Sequence, residues 1–442
     1  VSVVRRLPVV KDLTLVTAGA MTANVAGYLL QLLASRWLGV SGYSSFASLL
    51  AVQMLCAVPA LALQNVVARE VVRGAPVAAA RALALRCAGL VAGVALVLVP
   101  VIASVLKVDV AAAAGALCSA PVLVLLSGEQ GILQGGSRFR ALARVLGGAA
   151  TIRVTPALIV LATGGGPAAA LWVGAAGAAC ATLAARRVAD AAVGRGRPGS
   201  TPATEAETQS VSSAAMGSAA ASVESGSERA TDRTLGVFPV FRATQVQAAL
   251  MALSSADLLI SRIVLSENDA GRYALGAIAA KIAFWLPQAV GVVLYPRMAQ
   301  PQHSARAMRS ALAVLAGIGS VTVAGAAVAA PLAPLFAGKD YAPIEGLLWL
   351  FALQGALLAI LQAALLSAIA ADRTAPAAIT WVGLAAGVAV MLTCAHSVLS
   401  LIVIATVTAA VTTLVITGLA LRGARDQAES PLRVPDLGGS GT

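Results

Sequence analysis

Long apolar stretches recur along almost the whole chain of 442 residues, and this feature constrains the fold more than any other. A helix needs roughly 20 predominantly apolar residues to cross a bilayer. Stretches of that length are read at 13–35, 43–65, 83–106, 110–132, 141–163 and 167–185, and then at 238–261, 273–295, 311–336, 344–370, 376–395 and 398–421. Only 11% of the residues are charged and 59% are hydrophobic. A soluble domain carries about 25% charged residues, so a water-exposed fold of this size would lack the polar surface to cover itself. No sustained polar and apolar alternation is present, which argues against a transmembrane β-barrel. The expected class is an all-α polytopic membrane protein with about twelve transmembrane helices.

The net charge of +12 could suggest a nucleic-acid partner, but the placement of the charges points elsewhere. With the N-terminus in the cytoplasm, most Lys and Arg fall on the cytoplasmic side, among them Arg69, Arg73, Arg81, Arg138, Arg140 and Arg144. Arg36, Lys107, Arg262, Arg272 and Lys339 fall outside, and Arg153 and Lys281 fall within spans. This positive-inside distribution predicts a multi-pass protein of the inner (cytoplasmic) membrane with both termini cytoplasmic, and no nucleic acid. The five cysteines lie inside apolar stretches without metal-type spacing and read as packing residues.

Residues 186–237 interrupt the pattern with a tract rich in Ser, Thr, Ala and Glu. Such a composition cannot bury enough surface to offset its ordering entropy. The expected organisation is a six-helix lobe at 1–185, a disordered cytoplasmic linker at 186–237, a second six-helix lobe at 238–421 and a cytoplasmic tail at 422–442. The two blocks resemble each other. Gln31-Leu32-Leu33-Ala34-Ser35-Arg36 closes the first helix, and Asp257-Leu258-Leu259-Ile260-Ser261-Arg262 closes the seventh. Each is followed by a short turn ending in Gly and Tyr, then by a helix with Pro59 or Pro287 placed ten residues before Arg69 or Arg297. Parallel repeats about an axis normal to the membrane are a known carrier plan, with the substrate path between the halves.

Ionisable groups in mid-span cost about 2.5–3.5 kcal/mol each on insertion scales and normally face a watery cavity or a partner. Lys281, Arg153 and Asp257 are therefore candidate cavity residues, with Glu129 a weaker one. On the first helix Asn24 and Gln31 share a face with Tyr28 and Ser35, and Gln288 shares one with Lys281 on the eighth. Aligning Pro59 with Pro287 sets Gln53 level with Lys281. The two prolines remove a backbone hydrogen bond each and predict helix bends, either static or part of a gate. No phosphate-binding G-x-x-x-x-G-K-[ST] loop, metal-ligand cluster or nucleophilic triad is legible, so neither an enzyme nor a bound cofactor or metal is expected.

Several runs carry a family resemblance. Asp257-Leu258-Leu259, Leu265-Ser266, Ala270-Gly271, Tyr273, Lys281, Leu286-Pro287-Gln288 and Tyr295-Pro296-Arg297-Met298 occur in an order that resembles oligosaccharide flippases. These belong to the multidrug/oligosaccharidyl-lipid/polysaccharide exporter superfamily. Arg36-x-Leu38-Gly39-x2-Gly42-Tyr43, Pro59 with Ala68-Arg69-Glu70, and Leu335-Phe336-Ala337-Gly338-x2-Tyr341-Ala342 fit the same pattern. The resemblance implies a two-lobed carrier that moves polyprenyl-pyrophosphate-linked oligosaccharide to the outer leaflet by alternating access. Its implied partners are the lipid-linked sugar, membrane lipids and polysaccharide-assembly proteins. Arg153, Lys281, Arg36 and Arg262 would then be candidates to meet the pyrophosphate, since charge-assisted bonds to phosphate are strong. Two alternatives stay open: an ion-coupled multidrug antiporter using Asp257 or Glu129, and a non-transporting scaffold for polysaccharide assembly.

Overall fold

The computed structural model describes residues 6–194, 238–285, 304–370 and 375–429, and among these every regular element is helical. The first half holds α1 (Arg6–Cys56), α2 (Val58–Val72), α3 (Val77–Val105), α4 (Val110–Gly135), α5 (Phe139–Ala162) and α6 (Pro167–Gly194). The second half opens with α7 (Phe238–Leu253), α8 (Ala256–Val264) and α9 (Glu267–Trp285). It continues through α10 (Ser304–Ala329), a short α11 (Ala333–Ala337) flanked by 3-10 turns, α12 (Leu348–Ala370), α13 (Ala375–Cys394) and α14 (Val398–Glu429).

The 51 residues of α1 are too many for one crossing, and Gly39 folds them into two legs. Gly39 sits at φ 66° and ψ −179°, a combination open essentially to glycine alone. The reversal is visible in what the legs touch. Tyr28 bonds the Lys281 carbonyl and Met54 lines the cleft beside the Lys281 side chain. In a straight helix these two residues would lie roughly 39 Å apart at 1.5 Å per residue. The second leg continues through α2 after a break at Ala57, and α7 continues through α8 after a break at Ser254–Ser255. Counted this way, the described helices make twelve crossings in two lobes, as the apolar pattern predicts.

Small residues set the helix spacing, as expected where lipid offers no hydrophobic drive for association. A Cβ added at Gly131 would meet the Gln64 carbonyl at 2.7 Å, and one at Gly135 would meet the Ala68 carbonyl at 2.5 Å, so α4 and α2 pack nearly backbone to backbone. In the second lobe α12 is central, packed against α9, α10 and α14. The lobes meet where α1 lies along α9 and α2 along α7. One apolar core runs through this seam and takes in Leu30, Tyr43 and Phe46 from the first lobe and Leu258, Tyr273 and Phe351 from the second.

The internal repeat survives in the geometry. Ser35 and Ser261 are both fully buried, and each donates its hydroxyl to the carbonyl three residues earlier, Leu32 or Leu258, at 2.7 Å. Tyr43 and Tyr273, the tyrosines of the two following turns, are both fully buried as well. Pro59 stands at the first turn of α2 directly after the break at Ala57, where its missing N–H needs no partner. Pro287 lies outside the described residues. Two ends differ from expectation: α6 runs to Gly194, taking in the first nine residues of the expected linker, and α14 runs to Glu429. The rest of the expected linker, 195–237, lies outside the described residues.

Candidate functional site

The break between α7 and α8 creates a helix N-terminus inside an otherwise apolar span. Ser254 turns its hydroxyl back on the Met251 carbonyl at 2.9 Å, a local bond that competes with continuing the helix. Asp257 falls in the first turn of α8, where the helix dipole favours negative charge. It is 3% exposed. Its Oδ2 accepts hydrogen bonds from Tyr273 Oη of α9 at 2.7 Å and from Gln354 Nε2 of α12 at 2.9 Å. Tyr273 is held in turn by an edge-to-face contact with Phe351, with ring centroids 5.0 Å apart. Three crossings thus converge on one carboxylate. Among the described residues, two acceptors in the group, Asp257 Oδ1 and Gln354 Oε1, are buried without a hydrogen-bond partner. Unpaired buried acceptors are costly, and a buried anion more so.

Lys281 stands two turns along α9 from Tyr273. It lines a narrow cleft with Met251, Ser254 and Ser255 at the helix break, with Ala280, Phe284, Trp285 and Leu358, and with Met54 from the other lobe. Among the described residues its ammonium has no ion pair within 4.0 Å, although it lies near enough to Asp257 for the charges to interact through space. The cleft therefore sits at the seam of the lobes and presents a cation with no ion-pair partner among the described residues. Tyr28 crosses the same seam, donating to the Lys281 carbonyl at 3.1 Å. Asn24 and Gln31, four residues before and three after Tyr28, share its face of the first leg by helical spacing. Gln53 is buried and does not line the cleft, although its neighbour Met54 does. Gln288 lies outside the described residues.

The other predicted cations go elsewhere. Arg153 is half-buried on α5 and lies where α6 packs closely through Gly177. It does not line the Lys281 cleft. Arg36 is exposed, with Nη1 3.5 Å from the Leu335 carbonyl. Arg262 is buried and spends its guanidinium on the first lobe: Nε and Nη2 bond the Leu106 carbonyl at 3.2 and 3.0 Å, Nη2 also bonds the Lys107 carbonyl at 3.1 Å, and Nη1 bonds Ser44 Oγ at 3.1 Å. Glu129 is not free either, because Arg81 grips both its oxygens at 2.8 and 2.9 Å and also reaches Asp190 at 2.7 Å. This triad clamps α3, α4 and α6. Sequence reasoning missed Gln354 and Tyr273 as partners of Asp257. Tyr273 was legible as a repeat-turn tyrosine, whereas Gln354, 97 residues away, gave no signal.

No family model matches the sequence, and no curated relative matches it. Solved structures match in shape. The Vibrio cholerae MATE transporter VcmN in its bent form is 16% identical with a TM-score of 0.56, covering 94% of this chain and 98% of that one. The eukaryotic MATE transporter AtDTX14 is 15% identical with a TM-score of 0.56, covering 95% and 99%. A transporter of the MOP superfamily from Pyrococcus furiosus, described as having a binding pocket of reversed polarity, is 12% identical with a TM-score of 0.51, covering 95% and 97%. At these identities the likeness establishes the fold. The chain is a multi-pass membrane protein with the two-lobed, twelve-helix architecture of MATE transporters.

Proposed function

We propose that the protein is an alternating-access carrier that moves an anionic, lipid-linked saccharide across the cytoplasmic membrane, with Lys281 meeting the phosphate of its cargo. The observation that carries this reading is the Lys281 ammonium, set in a cleft at the lobe seam with no ion pair among the described residues. An ammonium inside a membrane span costs about 2.5–3.5 kcal/mol unless water or a ligand reaches it. A polyprenyl-pyrophosphate headgroup would supply the missing anion. The positive-inside distribution supports placing both termini in the cytoplasm and the Gly39 end of the bundle outside.

Asp257 fits a different part of the cycle. Its unpartnered oxygen, buried behind Tyr273 and Gln354, favours a coupling proton or cation. This is the feature that keeps a multidrug antiporter as the second reading, which the fold fits equally well.

The test compares a strain deleted for this gene with strains carrying wild type, Lys281→Arg or Lys281→Ala. Polyprenyl-linked saccharide exposed to an impermeant external probe should fall in the deletion and recover with wild type and Lys281→Arg only. Full recovery with Lys281→Ala would refute the role of the ammonium. Unchanged exposure in the deletion, together with resistance to organic cations that disappears in Asp257→Asn, would establish the antiporter instead.

A further inference from the structure

The Gly39 end of the bundle carries a second polar assembly, distinct from the Lys281 cleft and joining the two lobes. Arg262, near the C-terminus of α8, has a side chain only 3% exposed. Among the described residues its carboxylate neighbour is Glu267, 4.0 Å away and largely exposed, so no close ion pair neutralises the charge there. The guanidinium is instead inserted under the end of α3, where it holds the Leu106 and Lys107 carbonyls, and it reaches Ser44 Oγ on the second leg of α1. Those carbonyls belong to a helix C-terminus, the negative end of the dipole, and a cation is stabilised there. Lys107 adopts φ 51°, a left-handed conformation unusual for a residue with a side chain, in the turn that presents its carbonyl to Arg262. Beneath lies an apolar cluster of Val52, Ala95, Leu106 and Leu117, with Leu259 of the second lobe packed on it. The bonds are therefore shielded from water on one side.

Around this insertion the lobes touch at further points. Ser41 donates to Glu267 at 2.9 Å, Tyr341 donates to the Ser35 carbonyl at 3.3 Å, and a Cβ on Gly271 would fall 2.1 Å from the Val40 carbonyl. All are contacts between one lobe and the other at the same end. An arginine fork is suited to holding several carbonyls at once, and the same four bonds cannot survive if the lobes part.

We infer that Arg262 is the latch of a gate at the Gly39 end: it ties the second lobe to the C-terminus of α3 when that end is closed and releases it when the end opens. The inference rests on the carrier reading for the need to open, and on this geometry for the residue. It reassigns Arg262 from a cargo ligand to a positioning residue for the closed state. Arg36, its counterpart in the repeat, is exposed and makes one long contact, so the latch belongs to one lobe only.

The test reads opening directly, without cargo. Met54→Cys is placed in a variant whose five native cysteines are replaced, and its reaction with a membrane-impermeant maleimide is timed from the outer face of intact cells. Labelling should be slow with Arg262 present and about 10-fold or more faster with Arg262→Ala, since hydrogen bonds to a charged group are among the stronger ones. Arg36→Ala should leave the rate unchanged. Equal rates for Arg262 and Arg262→Ala, or an equal rise with Arg36→Ala, would overturn the latch. Should Arg262→Ala fail to accumulate, Arg262→Lys keeps the charge but loses the fork, and an unchanged rate in that variant overturns the latch as well. Failure of saccharide transport leaves the labelling result standing, so the two proposals are judged separately.

Discussion

Gly355→Ala is expected to destabilise the second lobe, and the size of the effect can be worked from the packing. Gly355 lies where α12 crosses α9. An added Cβ would sit 2.0 Å from the Ala280 carbonyl oxygen, 2.8 Å from its carbon and 2.9 Å from Ala283 Cβ. Two of these are backbone atoms, which cannot rotate away, so α12 must retreat by on the order of 1 Å in a region packed to crystal-like density. Overpacking costs about 1–3 kcal/mol, and removing a mid-helix glycine returns roughly 0.5–1 kcal/mol. The net expectation is a loss of about 1 kcal/mol. The control is Gly93→Ala on α3, where an added Cβ meets nothing within 4 Å and only the helix gain remains. Thermal unfolding of the detergent-solubilised protein, read by the fraction left monodisperse after heating, should show Gly355→Ala about a degree or two below wild type and Gly93→Ala level or slightly above. Equal midpoints for the two variants would refute the packing argument. Because Gln354 is the adjacent residue, the same displacement should pull its amide from Asp257 and reduce transport.

Three further outcomes are expected. In the Arg81–Glu129 clamp, Arg81→Ala and Glu129→Ala should each cost about 2 kcal/mol or more, and the double variant should cost little beyond the larger single loss; additive losses would show that the pair does not act as a unit. Asp257→Asn should leave folding intact while removing the dependence of transport on a proton or sodium gradient, and Tyr273→Phe should weaken that dependence by deleting one donor to the carboxylate; retained gradient dependence in Asp257→Asn would exclude the coupling role. Pro59→Ala restores an N–H able to bond the Leu55 carbonyl and should close the break at Ala57, raising the unfolding midpoint while slowing transport. Unchanged values of both would make the break independent of the proline.

Much of this architecture can be read from the sequence because lipid leaves few choices. Apolar runs of crossing length give the number of spans, and the Gly39 reversal falls where two runs approach each other too closely for one helix. The repeat is legible from Ser35 with Ser261 and from Tyr43 with Tyr273, and their shared burial follows from it. The helix break at Ser254–Ser255 is not legible, since two serines in an apolar run read as well tolerated. The roles of the charged residues depended on partners that local pattern does not reveal. Glu129 is neutralised by Arg81, 48 residues away, a pairing suggested only by their shared level in the membrane. Arg262 binds backbone carbonyls about 155 residues away, and carbonyls leave no mark in a sequence. Lys281 stands out first by cost, because a charge in mid-span demands a reason.

The most direct test of the central claim is flipping in liposomes. Purified protein would be reconstituted with a fluorescent polyprenyl-pyrophosphoryl saccharide, and the fraction reaching the opposite leaflet measured with an impermeant quencher. Wild type and Lys281→Arg should accelerate the crossing over protein-free vesicles, and Lys281→Ala should fall to the protein-free rate. Acceleration that survives in Lys281→Ala, or none with wild type, would contradict the account.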